Sequence, residues 1–206
     1  MTAPRMGLFA LVLLLAAAAG ALLAQQQLQL APAVELKTGT RLAPPREPPP
    51  FSLVSHTGAP FEREALRGQW TLMFFGFTHC PGICPMTLTT LADVRKRLHD
   101  LPARELPQIV LVSVDPERDT PERLAQYVVE FDAPIVGVTG PVEGIDKFAA
   151  GFGITHRKVP TGSGYMVDHS AVVLLFDTEG REAAVFSAPH TAEQLSADYR
   201  RMLGRG

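Results

Sequence analysis

Cys80 and Cys84 are the two cysteines of a 206-residue chain, and Pro81, Gly82 and Ile83 separate them. A pair of thiols so spaced can close into a disulfide, or bind a soft metal once reduced. A disulfide framework needs more cysteines at larger separations, and a structural bridge usually closes a longer loop. A purely structural disulfide is therefore the competing reading, and local chemistry is the favoured one. Pro81 and Gly82 impose a tight bend that can bring one sulfur beside the other. Pro85 suits a first helical turn, which places Cys84 at or near a helix N-terminus. Unpaired amides and the helix dipole favour an anion there, so a thiolate is expected to form more easily at Cys84 than in water. A dithiol redox motif ordinarily has two intervening residues, and the third one here leaves more room between the sulfurs. Two sulfurs are too few for a structural zinc site, which takes four ligands. Copper accepts two or three ligands from sulfur and imidazole, so one histidine nearby completes a site.

The surrounding pattern says which elements position this pair. Trp70 to Phe77 is a short apolar, aromatic run and reads as a buried strand that leads straight into the motif. Thr87 to Leu98 reads as a helix, with Leu88, Leu91, Val94 and Leu98 at helical spacing. Ile109 to Val114 is a second buried strand. Asp119 or Thr120 can cap the next helix, with Pro121 in its first turn and an end near Phe131. Ile135 to Val138 is a short strand and Val142 to Ala150 a short helix. Ala171 to Phe176 and Arg181 to Phe186 flank a turn and read as a hairpin, and Thr191 caps a last helix. Strand, helix, strand, helix, hairpin and helix make a thioredoxin-like α/β arrangement, with the cysteines where the first buried strand turns into the first helix. The Asp115 to Glu122 stretch holds no obvious metal set and reads as a loop that caps a helix.

Of six histidines, five read as surface residues. His79 adjoins Cys80, but neighbours in extended chain point opposite ways. His99 is late in an amphipathic helix, His56 and His190 lie in turns, and His156 sits in a polar loop beside Arg157 and Lys158. His169 differs, because it directly precedes the apolar run from Ala171, where a thioredoxin-like fold packs a loop against the cysteine motif. An imidazole there can meet both sulfurs, and Asp168 can orient or polarise a neighbour. The plainer alternative is a loop histidine bonded to Asp168. Met86 and Met166 flank the site and are minor candidates for soft auxiliary ligands, whereas Met73 reads as core.

Met6 to Ala24 carries no charge and is dominated by leucine and alanine. Nineteen helical residues span roughly 28 Å, close to the ~30 Å bilayer core. Arg5 precedes the run and the next charge is Glu35, which predicts a cytoplasmic N-terminus and an exported domain. The reading is a transmembrane anchor over residues 1–24. A signal peptide cleaved near Ala18 and Gly20 is the alternative. Residues 25–50, with Gln25-Gln26-Gln27 and Pro44 to Pro50, read as a proline-rich extended tether, and residues 51–206 as the folded domain. Net charge is −2 and no basic stripe occurs, which argues against nucleic acid as a partner.

Three stretches resemble the Sco/SenC family of copper-binding proteins for cytochrome c oxidase assembly: Phe74 to Pro85, Val112 to Glu122 and Tyr165 to Ser170. The resemblance runs from about Phe51 to Leu203. It implies a thioredoxin fold with copper, as Cu(I) or Cu(II), on Cys80, Cys84 and His169. It also implies delivery of copper to, or reduction of cysteines at, the dinuclear copper site of oxidase subunit II. The chain departs from the family pattern at Gly82, where an Asp is usual. A thiol–disulfide oxidoreductase using Cys80 and Cys84 is the second reading, and His169 is dispensable for that chemistry. A peroxidase needs an activating arginine near the attacking sulfur, and the motif segment has none.

Overall fold

The structure is a computed structural model that describes residues 13, 15–20, 35–162 and 164–205. The chain divides into two units, Met1–Val34 and Glu35–Gly206. In the first, residues 13 and 15–20 are helical. No helix among the described residues is long and apolar enough to cross a membrane, and most of the expected anchor, Met6 to Ala24, lies outside the described residues.

The second unit is built on an eight-stranded sheet. Its parallel centre is β4 (Thr71–Gly76), β5 (Gln108–Ser113) and β6 (Ile135–Thr139). All six residues of β4 are buried, as the continuous apolar run requires of a strand covered on both faces. Antiparallel β9 (Val172–Phe176) pairs with β4, and β10 (Glu182–Ser187) pairs with β9. At the other side β2 (Leu53–Ser55) pairs with β6 and with β3 (Pro60–Phe61). Four α-helices complete the unit among its described residues: α1 (Ile83–Arg97), α2 (Pro121–Val128), α3 (Val142–Gly151) and α4 (Ala192–Met202). Thr120 caps α2 by accepting a hydrogen bond from the Arg123 amide, with Pro121 at the first position, and Thr191 caps α4 in the same way. Phe74, Phe75, Leu88, Leu91, Phe148 and Phe176 are fully buried between the layers.

Two elements depart from the sequence expectation. Gly39–Arg46 forms β1, which pairs antiparallel with β10, so part of the expected tether belongs to the sheet. Proline is tolerated in this strand because β1 is at the sheet edge, where no further strand needs its amide. Specific polar contacts hold the segment down. Arg46 Nη2 lies 2.6 Å from the buried Glu182 carboxylate, and the Lys37 and Thr38 amides donate to buried Asp198 at 2.9 and 2.8 Å. The second departure is a separate two-stranded hairpin, β7 (His156–Thr161) and β8 (Gly164–His169), where a polar loop was expected. It stands outside the main sheet, and five of the six residues of β7 are exposed.

Candidate metal centre

The cysteine motif occupies the turn from β4 into α1. Helix α1 begins at Ile83, earlier than its apolar periodicity indicates, with Gly82 as N-cap. Cys84 and Pro85 therefore sit in its first turn. Cys84 is fully buried and Cys80 is half-exposed, and both are free thiols. The chain turns closely here. A Cβ on Gly76 would come within 3.0 Å of Cys84 Sγ and 2.7 Å of the Phe74 ring, so glycine is what lets the buried sulfur pack against the end of β4. Gly82 is different, since a Cβ there would meet nothing within 4 Å.

The structure corrects the expectation about which sulfur the helix serves. The Cys84 amide, in the first turn, donates toward Cys80 Sγ at 3.5 Å rather than toward its own side chain. Burial pushes the Cys84 thiol well above the ordinary thiol range, and the Cys80 side chain beside it adds to the rise. A backbone hydrogen bond from Phe77 works in the opposite direction and loses. Desolvation at a site with no exposure thus disfavours the Cys84 thiolate, and a bound cation would have to displace the proton.

His169 closes the group. It is the last residue of β8, and its Nε2 is 3.4 Å from Cys84 Sγ. Its Nδ1 is 3.2 Å from the Ser170 carbonyl oxygen, which can only accept. The proton is therefore on Nδ1, and the Nε2 lone pair faces the sulfur. Burial lowers the His169 pKa, which keeps the ring neutral and ready to ligate. Phe74 and Phe77 fix the ring edgewise, at centroid distances of 5.9 and 5.8 Å. Asp168 does not orient this ring by a hydrogen bond, contrary to expectation. Its carboxylate accepts from Arg157 at 3.4 Å and points to solvent.

Cys80 Sγ, Cys84 Sγ and a His169 ring nitrogen all lie within 4.8 Å of one another. Thiolate and imidazole bonds to first-row metals of about 2.0–2.3 Å, opened at about 120°, separate ligand atoms by about 3.8 Å. The three atoms therefore fit a single small ion with little movement, and two thiolates with one neutral imidazole suit soft monovalent copper. The other histidines stay away from the sulfurs. His56 Nδ1 accepts from the Gly137 amide at 3.0 Å, and His190 Nε2 donates to Ala171 O at 3.3 Å. His99 lies 3.0 Å from the Lys96 carbonyl, and His156 pairs with Asp146 at 3.2 Å.

Thr78, Ser113 and Asp119, from the stretches Phe74 to Pro85 and Val112 to Glu122, pin the cysteine loop. Asp119, expected as a helix cap, is fully buried and accepts from the Thr78 amide at 2.9 Å, Thr78 Oγ1 at 2.7 Å and Ser113 Oγ at 2.6 Å. It thereby ties the residue two before Cys80 to the end of β5. Asp115, Asp119 and half-exposed His79 come within 4.8 Å of one another. Both carboxylates are already occupied by hydrogen-bond donors of the chain, so this cluster reads as a brace. The Asp-rich stretch after a buried strand was the available signal, but its target in space was not readable from one dimension.

A family model described as SCO1/SenC matches residues 40–204. The chain belongs to the SCO1/SenC family. The mouse mitochondrial SCO2 homolog is 38% identical over 153 residues, which cover 73% of this chain and 60% of the mouse protein. The chain thus spans about three fifths of that relative's length. Among solved structures, Arabidopsis thaliana ScoI with copper bound is 33% identical, with a TM-score of 0.71 over 76% of this chain and 98% of the other. BsSco, described as a Sco-family cytochrome c oxidase assembly protein with a disulfide switch, is 25% identical, with a TM-score of 0.61 over 76% of this chain and 93% of that one. The thioredoxin-like α/β fold of the second unit is the fold of these Sco structures.

Proposed function

We propose that this chain is a copper metallochaperone for cytochrome c oxidase assembly, holding copper on Cys80, Cys84 and His169. The observation that carries this reading is the convergence of two sulfurs and one imidazole nitrogen, drawn from a strand–helix turn and a distant hairpin, within 4.8 Å. The copper-bound ScoI relative supports the choice of metal. The family description of BsSco supports the assembly role. Copper is cargo here. Half-exposed Cys80 is the sulfur that an incoming partner thiol reaches first. Each incoming thiol gives up a proton and each departing thiolate takes one, so copper moves by ligand exchange with its oxidation state unchanged. The acceptor in this reading is the dinuclear copper site of oxidase subunit II, with a separate protein as copper donor. The apolar run Met6 to Ala24 would tether the domain to the membrane, with the site on the extracytoplasmic side.

A second reading rests on the asymmetry of the two thiols. Cys80 Sγ is accessible and Cys84 Sγ is buried beside it, the arrangement of an attacking and a resolving thiol. Cys80 would open a partner disulfide to form a mixed disulfide. Cys84 would then displace the partner's second sulfur, leaving a Cys80–Cys84 disulfide here and two thiols there. Both electrons pass to the partner.

The test is copper stoichiometry of the reduced full-length chain beside its His169→Ala variant. One copper per chain, much more weakly held after the substitution, supports the chaperone. No retained copper, with disulfide-reducing turnover equal in both proteins, supports the reductase instead.

A further inference from the structure

His169 is carried by a hairpin that the main sheet does not hold. As strands, β7 and β8 pair only with each other, and most of their side chains face solvent. Something must nevertheless keep the imidazole at the sulfurs. The polar contacts between hairpin and body converge largely on the loop that follows β5. The Tyr165 hydroxyl donates to Asp115 Oδ1 at 2.8 Å, Lys158 pairs with Glu117, and Arg118 reaches the hairpin backbone.

Arg118 makes the most of these contacts. Its Nε donates to Asp115, its Nη1 donates to the Tyr165 carbonyl oxygen at 3.1 Å, and its guanidinium lies 3.9 Å from the Tyr165 ring centroid. The same group lies 5.9 Å from the Phe77 ring, and Phe77 in turn meets the His169 imidazole edge-on. One planar cation therefore links the hairpin, the loop after β5 and the aromatic ring that flanks the histidine. A planar fork with a stacking face suits this task, and a lysine point charge does not.

We propose that Arg118 is a positioning residue for metal binding, a latch that fastens the β7–β8 hairpin so that His169 stays in reach of Cys80 and Cys84. The proposal rests on the ligand set argued above. It requires Arg118 to act through His169 and through nothing else at the site. Losing a supporting residue of this kind typically lowers metal affinity about 10–100-fold.

The experiment is a double-mutant cycle on the full-length chain, with Arg118→Ala and His169→Ala singly and together, reading Cu(I) affinity by competition with a chromophoric chelator. Nitrogen hyperfine coupling in the Cu(II) form and amide exchange of the metal-free chain are measured beside it. The expected result is about tenfold weaker binding in Arg118→Ala, a reduced nitrogen signal, and no further loss when His169 is already absent. Amide exchange should quicken in β7 and β8 and stay unchanged in β4 and β5. Equal losses in both backgrounds, or none from Arg118→Ala, overturn the latch while leaving the ligand set standing. An unchanged affinity in His169→Ala overturns the ligand set, and the latch with it. Should Arg118→Ala not fold, Tyr165→Phe removes a single latch hydroxyl and should show the same pattern at smaller size.

Discussion

The candidate site joins two regions of opposite character. The turn from β4 into α1 is over-determined: β4 and Cys84 are buried, and Asp119 accepts two hydrogen bonds from Thr78 and a third from Ser113. The β7–β8 hairpin is largely exposed, stands apart from the main sheet, and meets the body through a small set of polar contacts and through Tyr165, Met166 and the buried Val167, which pack on the core. The cysteines are thus presented by a rigid wall and the histidine by an appendage. A site split in this way can bind tightly when the hairpin is seated and release its cargo when one ligand lifts. Marginal local stability is the usual source of such motion.

Breaking the rigid side should have the largest effect. Cys84→Ser removes a ligand and leaves a hydroxyl in a dry pocket. We expect stoichiometric copper to be lost altogether, and the folded state to weaken by roughly 1–3 kcal/mol, as read from metal analysis and the urea midpoint. Breaking the hairpin side should cost affinity and spare stability. His169→Ala should weaken Cu(I) binding by more than about 100-fold, beyond the usual cost of losing a mere supporting residue, with little change in the urea midpoint.

A smaller effect separates the two regions by pH. Burial raises the Cys84 thiol, so the folded chain keeps a proton that the unfolded chain releases above about pH 9. This contribution is fully present below the unfolded value and is lost as pH rises past it. Stability of the metal-free protein should therefore fall from about pH 9 upward, and Cys84→Ala should flatten the first part of that fall. For His169 the shift has the opposite sense, because burial lowers its pKa. The unfolded chain then binds a proton first as pH drops below about 6.5, and stability should decline on that acid side. His169→Ala should reduce that decline. The smallest effect is at Gly82, where open space awaits a side chain. Gly82→Asp places a helix-capping carboxylate at the N-terminus of α1 and should stabilise the fold by a few tenths of a kcal/mol, measurable as a small rise in urea midpoint.

The same contrast explains what the sequence made legible. The rigid side announces itself through local order: an apolar run, a Cys–Cys pair, a proline in the first helical turn and caps at Thr120 and Thr191. Each of these signals acts over a few residues. The exposed side carries no such periodicity, because β7 buries none of its residues and so leaves no alternation to read. β1 was hidden for a related reason, since its prolines suppress the strand signal while edge position and the anchors at Glu182 and Asp198 hold it in place. Long-range partners were the least readable. Asp119 and Thr78 are forty-one residues apart, and only the fold brings them together. The thiolate expected at Cys84 failed because burial is a property of the packed chain and the helix terminus is a local one.

The central claim is that Cys80, Cys84 and His169 together hold one copper ion. The most direct test is X-ray absorption at the copper edge on the Cu(I)-loaded full-length chain and on His169→Ala. The account predicts two sulfur scatterers and one nitrogen scatterer in the native protein, with the nitrogen lost in the variant. A first shell without nitrogen in the native protein, or one unchanged by the substitution, would contradict it.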